Sequence, residues 1–462
     1  MGFVGVIFTS TSVGLVVLFA FCFWEKALSF QERVFTKNPV IIVSMDGMYW
    51  KVFENKLVST HNLDFVARTG VSAKAMRSVT PSLTYPNHHS ILTGLYPESH
   101  GIISNQFWDP FYNETFVFEY TCSSMDPKFY NTSEPIWLTL QKRNGRAGVY
   151  FWPGFAGYSQ RPSFYEKERC FPGINCSKKE TYKDRSGVHC AVNHNQPYSS
   201  RIDRAIEWLQ SEHPPQFVAL YFDQPDPEGH QYGPNSTEFF NAVRRVDSDV
   251  VGYLLQQLYE KSMLDSVNLI FVSDHGFVGL DPKRVILLKD YITPDSYRLF
   301  SEGTMAHIWP NQGKEEEIYK NLTTNKHPHI KVYRQADIPE ILHWKHNRRI
   351  PPLWVQPDPG WLILSERYDV GRGGHGYPAT CEDMWSVFFA RGPAFREGFV
   401  NEVFDVVDLY PLMCNLLGIE PLPNNGSFEN VKMMLKNLTP KVSSTHITLF
   451  HVTILLIYMI TN

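Results

Sequence analysis

The sequence has no surplus of basic residues and no paired-cysteine metal motif. Lysine and arginine number 43 against 47 aspartates and glutamates, which gives the 462-residue chain a formal net charge of −4. Proteins that bind nucleic-acid polymers rely on a basic field, so the composition predicts no nucleic-acid polymer among the partners. No C-x-x-C pair occurs among the 7 cysteines, which disfavours a structural zinc knuckle.

Internal repeats, low-complexity tracts and long linkers are also missing. Between residues 38 and 430, apolar runs alternate with amphipathic stretches. This alternation is typical of an α/β domain built around a central, mostly parallel sheet flanked by helices. We therefore expect residues 38–430 to form one domain.

Both ends of the chain are apolar but lack the flanks of an ordinary membrane span. Residues 3–24 are uncharged and no basic residue precedes them, so residues 1–26 are predicted to be a signal sequence or a signal-anchor. The tail at residues 446–462, after a stalk at 431–445, is shorter than the ~20 apolar residues that span a bilayer. It predicts a lipid-anchor signal or a short transmembrane helix.

Sequons and cysteines favour an exported, disulfide-bonded glycoprotein at the outer face of the plasma membrane. The sequons begin at Asn113, Asn131, Asn175, Asn235, Asn321, Asn425 and Asn437. Beyond Cys22 in the apolar leader, the cysteines form an even set suited to disulfides, whose connectivity the sequence does not decide. That set is Cys122, Cys170, Cys176, Cys190, Cys381 and Cys414.

Three predicted strands end in aspartates, in the segments NPVIIVSMDG, QFVALYFDQPDPEGHQYGP and SVNLIFVSDHGF. Ligands of open α/β sheets bind beyond the carboxyl ends of the strands. Alone, each aspartate is explained by a turn or a helix cap, and each nearby histidine by ordinary packing. Together they would repel or lose hydration unless cations held them. The candidate ligands are Asp46, Asp226, His230, Asp274, His275 and His375.

Mixed nitrogen and oxygen ligands suit zinc better than calcium or magnesium. Six ligands divide into two metals with three each, which leaves open positions for a substrate. Such a metal pair can activate a nucleophile and stabilise both oxygens of an in-line phosphoryl displacement.

Thr84 lies in the segment SVTPSLTYPNHHSILTGLYPESHG, before a predicted short helix that Pro86 opens and Gly94 ends. One interpretation of Thr84 is an ordinary helix cap. The other is a nucleophile, because a helix N-terminus attracts anions and metal coordination lowers the pKa of a hydroxyl.

At these motifs the chain resembles the ectonucleotide pyrophosphatase/phosphodiesterase family of the alkaline-phosphatase-like superfamily. The similarity covers roughly residues 38–430 and includes VSMDG, TYPNHHSILTG, EPIW, FWPG, PDPEGHQYGP, VSDHG and GGHGY. The resemblance implies an alkaline-phosphatase-like fold with two zinc ions per chain. It implies a first zinc bound by Asp226, His230 and His375 and a second bound by Asp46, Asp274 and His275.

The resemblance also implies roles in catalysis and substrate binding. Thr84 would be the nucleophile and Asn105 would help to hold a phosphate oxygen. In members that act on nucleotides the base lies between two aromatic rings, which the resemblance places at Tyr85 and Tyr165, with Tyr221 as a further aromatic residue of the pocket.

The implied activity is that of a zinc-dependent nucleotide pyrophosphatase/phosphodiesterase. It would attack the α-phosphorus of extracellular NAD, dinucleotide polyphosphates and nucleoside di- and triphosphates, and release nucleoside 5′-monophosphates through a threonine-bound intermediate. The alternatives are a choline-type phosphodiesterase of the same fold and a catalytically silent surface ectodomain. The retained TYPN motif favours nucleotides over choline esters, and the complete ligand set disfavours a silent domain.

Overall fold

The fold is organised around one eight-stranded sheet. The computed structural model describes residues 38–118, 122–166, 196–324 and 326–436. The strands are β1 (Val40–Met45), β2 (Val71–Ala73), β3 (Met76–Arg77), β4 (Gln106–Asp109), β5 (Glu114–Val117), β6 (Ala147–Tyr150), β7 (Phe164–Tyr165), β8 (Phe217–Phe222), β9 (Asn268–Val272), β10 (Val278–Gly279), β11 (Val285–Leu287), β12 (Tyr297–Leu299), β13 (Ala306–Pro310), β14 (Ile330–Arg334), β15 (Leu353–Pro357), β16 (Leu362–Leu364), β17 (Gly373–Gly374), β18 (Phe388–Arg391), β19 (Phe399–Asn401) and β20 (Phe404–Asp405).

The helices alternate with these strands and pack on the sheet. A π-helical stretch, Asp247–Gly252, joins α8 to α9. The α-helices are α1 (Lys51–Glu54), α2 (His61–Thr69), α3 (Thr84–Thr93), α4 (Pro97–His100), α5 (Ile136–Gln141), α6 (Tyr198–Leu209), α7 (Asp226–Tyr232), α8 (Thr237–Val246), α9 (Tyr253–Glu260), α10 (Glu315–Thr324) and α11 (Leu409–Leu417).

The central sheet is mostly parallel. Its order is β19-β2-β18-β9-β1-β8-β6-β7. Strand β1 pairs in parallel with β8 on one side and with β9 on the other, whereas β18 runs antiparallel to β9 and β2. All residues of β1 and β8 are buried, as expected for parallel strands covered on both faces. The prediction of an α/β domain around a mostly parallel sheet is confirmed.

Successive residues of β1 point to opposite faces of the sheet, and each face meets different helices. Ile41 and Val43 join a core with residues of α6, α8 and α9, such as Ile202. Ser44 points the other way, and its hydroxyl lies 2.8 Å from Nε2 of His88 in α3. Helix α3 therefore crosses the face opposite to that core.

A smaller antiparallel sheet, in the order β12-β13-β15-β14, has a core of its own. Ile308 of β13, Leu322 of α10 and Val355 of β15 belong to this core. The connection between β12 and β13 pairs with β16, because Gly303 N donates to Ile363 O at 2.7 Å and Ile363 N donates back at 2.8 Å. This pairing fixes residues 300–305 beside β16.

Two cysteines depart from the expected disulfide set. Cys381 and Cys414 are free cysteines within the described residues, so the prediction of pairing is wrong for these two. Cys414 lies in α11 with no exposed surface, where a thiol packs as a small apolar group. The side chains of Cys122, Cys170, Cys176 and Cys190 lie outside the described part of the chain.

Most sequons that the structure describes present exposed asparagines. Asn113, Asn131, Asn235 and Asn425 are exposed, and Asn321 is half-buried. The sequons at residues 175 and 437 lie outside the described residues. Glycosylation stays a prediction.

The expected membrane anchor is not supported. Among residues 38–436, as far as they are described, no helix is both long enough and apolar enough to cross a membrane. The longest helical run, residues 237–260, carries charged side chains such as Glu238, Arg244 and Asp249, which are costly in hydrocarbon. The predicted segments 1–26 and 446–462 lie outside the described residues. The prediction of an anchored cell-surface protein is therefore wrong for the described part of the chain and is not carried further.

Asp109 at the end of β4 binds two arginines that differ in burial. Substitution of each arginine tests how much a buried ion pair contributes to the stability of the fold. Asp109 Oδ2 accepts from Arg349 Nε at 2.7 Å and from Arg348 Nη2 at 2.9 Å. Arg349 is 1% exposed and also donates to the carbonyls of Gly101 and Phe129, whereas the Arg348 side chain is 43% exposed.

We expect Arg349→Ala to lower the free energy of unfolding by about 3–5 kcal/mol, because it leaves a buried charge and two buried carbonyls short of donors. Arg348→Ala should lower it by less than about 1 kcal/mol, because its ion pair is solvated. Urea unfolding of both variants measures the difference. Equal losses would contradict the importance of the buried pair.

Candidate active site

Side chains able to bind metals meet at the carboxyl edge of the central sheet. Because β1, β8 and β9 are adjacent and parallel, their carboxyl ends lie at one edge. Asp46 directly follows β1, and Asp274 and His275 follow β9. Asp226 begins α7, shortly after β8, so that His230 lies one helical turn further on. The turn after Asp46 requires Gly47, since its φ is +69° and an added Cβ would lie 2.6 Å from the Phe277 ring.

These side chains form two groups of three. In the first group, His230 Nε2 lies 3.0 Å from His375 Nε2, and Asp226 Oδ1 lies 3.4 Å and 3.5 Å from these two nitrogens. The ligand atoms of each group lie within 4.8 Å of one another.

In the second group, His275 Nε2 lies 3.3 Å from Asp46 Oδ1 and 3.2 Å from Asp274 Oδ2. The structure thus brings together the six candidate ligands in the two sets that the resemblance implies: Asp226, His230 and His375; Asp46, Asp274 and His275.

Backbone carbonyls orient all three histidines in the same way. His230 Nδ1 lies 3.1 Å from Gly373 O, His375 Nδ1 lies 2.9 Å from Ser82 O, and His275 Nδ1 lies 3.1 Å from Gly276 O. A carbonyl only accepts, so each Nδ1 carries the hydrogen and each Nε2 keeps its lone pair for a ligand. This arrangement is usual for metal-binding histidines.

The second group contains buried polar atoms that fit a cation. Asp46 Oδ1, Asp274 Oδ2 and His275 Nε2 are buried and make no hydrogen bond within the described part of the chain. Their other atoms are held, since Asp46 Oδ2 accepts from the Tyr221 hydroxyl at 2.6 Å and Asp274 Oδ1 accepts from Gly47 N at 3.2 Å. Unpaired buried acceptors that converge on one point are costly unless a cation occupies that point. The donor set therefore fits a divalent metal ion.

Burial and neighbouring charges also shift the pKa values of these groups when no cation is bound. Burial, and then repulsion by Asp46, raises the pKa of Asp274 to about 8. Burial opposes the charge of His275, but attraction by Asp274 and Asp46 prevails and raises its pKa to about 9. In the first group, burial and then repulsion by His275 lower the pKa of His230 and His375, which keeps both rings neutral and ready to bind a metal.

Thr84 is the first residue of α3, and the structure disagrees with its interpretation as a cap. The N-cap residue is Leu83, and no side chain caps this helix end. Thr84 is 7% exposed, and it lines a cavity of about 650 Å³ together with ligands of both groups. Gly94, with φ at 67°, ends the helix as predicted.

Asn105 and Tyr221 line the same cavity. Asn105 Oδ1 accepts from Tyr85 N at 3.0 Å, which ties Asn105 to the first turn of α3. Tyr221 meets the second metal group through its hydrogen bond to Asp46.

The two predicted stacking residues do not line this cavity. Tyr85 is 6% exposed, and its ring lies 5.8 Å from both Phe116 and Phe118. Tyr165 lies in β7, with its ring 6.3 Å from Phe155. A larger groove of about 880 Å³, near Tyr198 and Tyr253, contains none of the candidate ligands.

Two residues of the site were missed in the sequence. Phe118 lines the cavity because its amide donates to Asn105 O at 2.7 Å, and the hairpin of β4 and β5 was the signal for this pairing. His88 lies one turn after Thr84. Its Nδ1 is 2.7 Å from Thr84 O and 3.5 Å from Asp274 Oδ2, and burial lowers its pKa to about 4.

Comparison with known proteins agrees with this geometry. A family model for type I phosphodiesterase / nucleotide pyrophosphatase matches residues 40–378. Human ectonucleotide pyrophosphatase/phosphodiesterase family member 5 is 35% identical over 407 residues, which are 88% of this chain and 80% of that protein. A bis(5′-adenosyl)-triphosphatase of Xenopus laevis is 34% identical over 377 residues, which are 81% of this chain and 77% of that protein.

A solved structure extends the likeness to three dimensions. Murine ectonucleotide pyrophosphatase/phosphodiesterase 5, as an inactive threonine-to-alanine variant in complex with AMP, has a TM-score of 0.78 at 33% identity. The match covers 87% of this chain and 100% of that chain. It confirms the predicted fold class.

A substitution that removes one ligand from either group should cost the protein one of its two metal ions. We expect wild-type protein, dialysed against zinc and then buffer, to retain two ions per chain, and His375→Ala and Asp274→Asn to retain about one. His329→Ala is the control. His329 Nδ1 lies 3.1 Å from Asp358 Oδ2, and neither residue lines the cavity. Elemental analysis measures the content. A wild-type content clearly below two would contradict the two-metal arrangement.

Proposed function

The chain belongs to the type I phosphodiesterase / nucleotide pyrophosphatase family and is a hydrolase, and from this premise we propose its mechanism and substrates. It hydrolyses phosphodiester or pyrophosphate bonds at the α-phosphorus of nucleotides, with Thr84 as nucleophile and two zinc ions as cofactors. The observation that carries this proposal is the position of Thr84, at the start of α3, in one cavity with ligands of both metal groups.

Zinc is the proposed metal because both groups offer imidazole nitrogens together with carboxylate oxygens. When bound, the two ions would polarise the phosphoryl oxygens and lower the pKa of coordinated hydroxyls. The ligands would be Asp226, His230 and His375 for one ion and Asp46, Asp274 and His275 for the other.

Thr84 Oγ forms the new bond to the α-phosphorus, and the bond from phosphorus to the leaving-group oxygen breaks in line with it. The hydroxyl proton of Thr84 passes to solvent, and the leaving group departs with the electron pair of the broken bond. Water then hydrolyses the threonine ester, which restores Thr84 and releases a nucleoside 5′-monophosphate.

The start of α3 supports this step. Thr84 stands at its N-terminus, where the positive end of the helix dipole favours a phosphate. Asn105 uses its amide oxygen to accept from Tyr85 N, so the amide nitrogen is the donor that it offers to a phosphate oxygen. His88 holds the Thr84 carbonyl and contacts Asp274, and we propose that it positions the nucleophile relative to the second metal.

A nucleotide is the proposed substrate because aromatic side chains line the cavity near Thr84. Phe118 and Tyr221 line the cavity, and the Tyr85 ring makes an edge contact with the Phe118 ring at 5.8 Å between centroids. Tyr165 stays the least supported of the expected stacking residues. The murine relative in complex with AMP and the relative named bis(5′-adenosyl)-triphosphatase support this substrate class. Dinucleotide polyphosphates, NAD and nucleoside di- and triphosphates are the substrates to test.

The role of Thr84 is tested by two substitutions. We expect Thr84→Ala to lower turnover by several orders of magnitude, because it removes the attacking oxygen, and to leave zinc content and the unfolding midpoint nearly unchanged. Thr84→Ser should keep partial activity. Turnover by the alanine variant above a few per cent of wild type would refute the nucleophile assignment.

The position of cleavage is tested with oxygen-18 water. We expect ATP to give AMP and pyrophosphate, with the label in AMP, because the base contacts bring the α-phosphorus to Thr84. ADP and phosphate as first products would place the attack at the terminal phosphorus and contradict this substrate pose. Faster hydrolysis of p-nitrophenyl phosphorylcholine than of a p-nitrophenyl nucleoside monophosphate would favour the choline-type alternative.

A further inference from the structure

The cavity continues beyond the metal groups into an end that the proposed mechanism does not use. We call it the distal end; it is formed by the residue that follows β10, by the connection between β12 and β13, by β16 and by the segment that follows β16. Residues of the distal end that line the cavity are Leu280, Glu302, Leu362, Leu364, Tyr368 and Val370.

The distal end lies next to the first metal group. Thr304 Oγ1 donates to the carbonyl of His375 at 2.8 Å, which joins the β12–β13 connection to that group. Tyr221, near the opposite end, is joined to Asp46 of the second group. Within this one cavity, the distal end thus adjoins the first group, whereas Tyr221 adjoins the second.

The geometry of an in-line displacement places the leaving group in the distal end. The leaving oxygen must depart opposite to Thr84 Oγ, and the nucleoside is held by Phe118 and Tyr221. The leaving group therefore extends past Asp226, His230 and His375 into the distal end.

The chemistry of the distal end does not suit a bare polyphosphate. No lysine or arginine lines the cavity within the described residues. Two arginines are sequence neighbours of cavity residues: Arg367 donates to Pro282 O at 3.3 Å, and the guanidinium of Arg372 lies 3.8 Å from the carboxylate of Asp369. Four of the distal residues are aliphatic, and Tyr368, which is 52% exposed, offers a ring.

Glu302 adds a negative charge that is fixed in position. Its Oε2 accepts from Ser365 N at 2.6 Å, and its carboxylate, after burial, contributes to the raised pKa of Tyr368. Glu302 is thus held beside the ring of Tyr368 at the wall of the cavity. A fixed carboxylate repels an anionic group and attracts a cationic one.

We propose that Glu302 is a specificity-determining residue that selects against pyrophosphate as leaving group and favours a leaving group that carries a flat, neutral or cationic ring. This inference rests on the proposed function, because it assumes attack at the α-phosphorus by Thr84. The preferred substrates would be dinucleotides with a cationic ring rather than nucleoside triphosphates.

NAD, NADH and ATP form a suitable set of probes, because NAD and NADH have nearly the same shape but differ by one charge on the ring of the leaving group. We expect wild-type kcat/KM to fall in the order NAD, NADH, ATP. Glu302→Gln keeps an acceptor for Ser365 N, and should raise the ratio of ATP to NAD kcat/KM by about tenfold and bring the ratio of NAD to NADH close to one. High salt should reduce the NAD preference of wild type and leave that of the variant unchanged.

Glu366→Gln is the matched control, because Glu366 is an exposed glutamate in the same segment that does not line the cavity. It should leave all three ratios unchanged. Equal changes of kcat/KM for all three substrates in Glu302→Gln would overturn the specificity role while wild-type AMP release still supports the proposed function. Wild-type protein that releases AMP from none of the three would overturn both.

Discussion

The site depends on buried charges of like sign that meet at the edge of a parallel sheet. Asp46 and Asp274 are buried beside each other, and burial, followed by repulsion from Asp46, raises the pKa of Asp274. Folding alone would not place such carboxylates together, because burying an unpaired charge is costly. A divalent cation removes this cost, so the geometry of β1 and β9 and the binding of metal stabilise each other.

The proposed nucleophile, Thr84, is positioned by the strand that supplies one of the candidate metal ligands. Ser44 and Asp46 are two residues apart at the end of β1, which is about 6.6 Å along a strand. Ser44 binds His88 of α3 at 2.8 Å, and His88 in turn binds the Thr84 carbonyl at 2.7 Å. The start of α3 is therefore fixed to the metal-binding edge by two hydrogen bonds, and its distance from the second group does not depend on a flexible loop.

The sequence predicts the metal-binding edge better than the rest of the site, for physical reasons. Apolar runs that end in Asp46 or Asp274 are local patterns, and parallel pairing brings their ends together wherever the intervening chain goes. Phe118 reaches the cavity through the β4–β5 hairpin, which Asp109 ties to the distant Arg348 and Arg349. Glu302 reaches it through the β12–β13 connection, which pairs with the distant β16. Local patterns also do not reveal burial. For this reason the sequence did not predict that Tyr85 packs in the core or that Cys414 is a buried thiol.

The proposed chemistry and the proposed selectivity belong to different parts of the fold. The candidate ligands Asp46 and Asp274 follow β1 and β9, whose residues are all buried, and close packing there tolerates few substitutions. Glu302 lies in the connection between β12 and β13 of the smaller antiparallel sheet, which has a separate core, and Thr304 of this connection donates to the His375 carbonyl. Under the proposed mechanism, we expect a change of charge at Glu302 to alter the surroundings of the leaving group and to leave the candidate metal ligands in place, so that one metal-binding edge would serve different leaving groups.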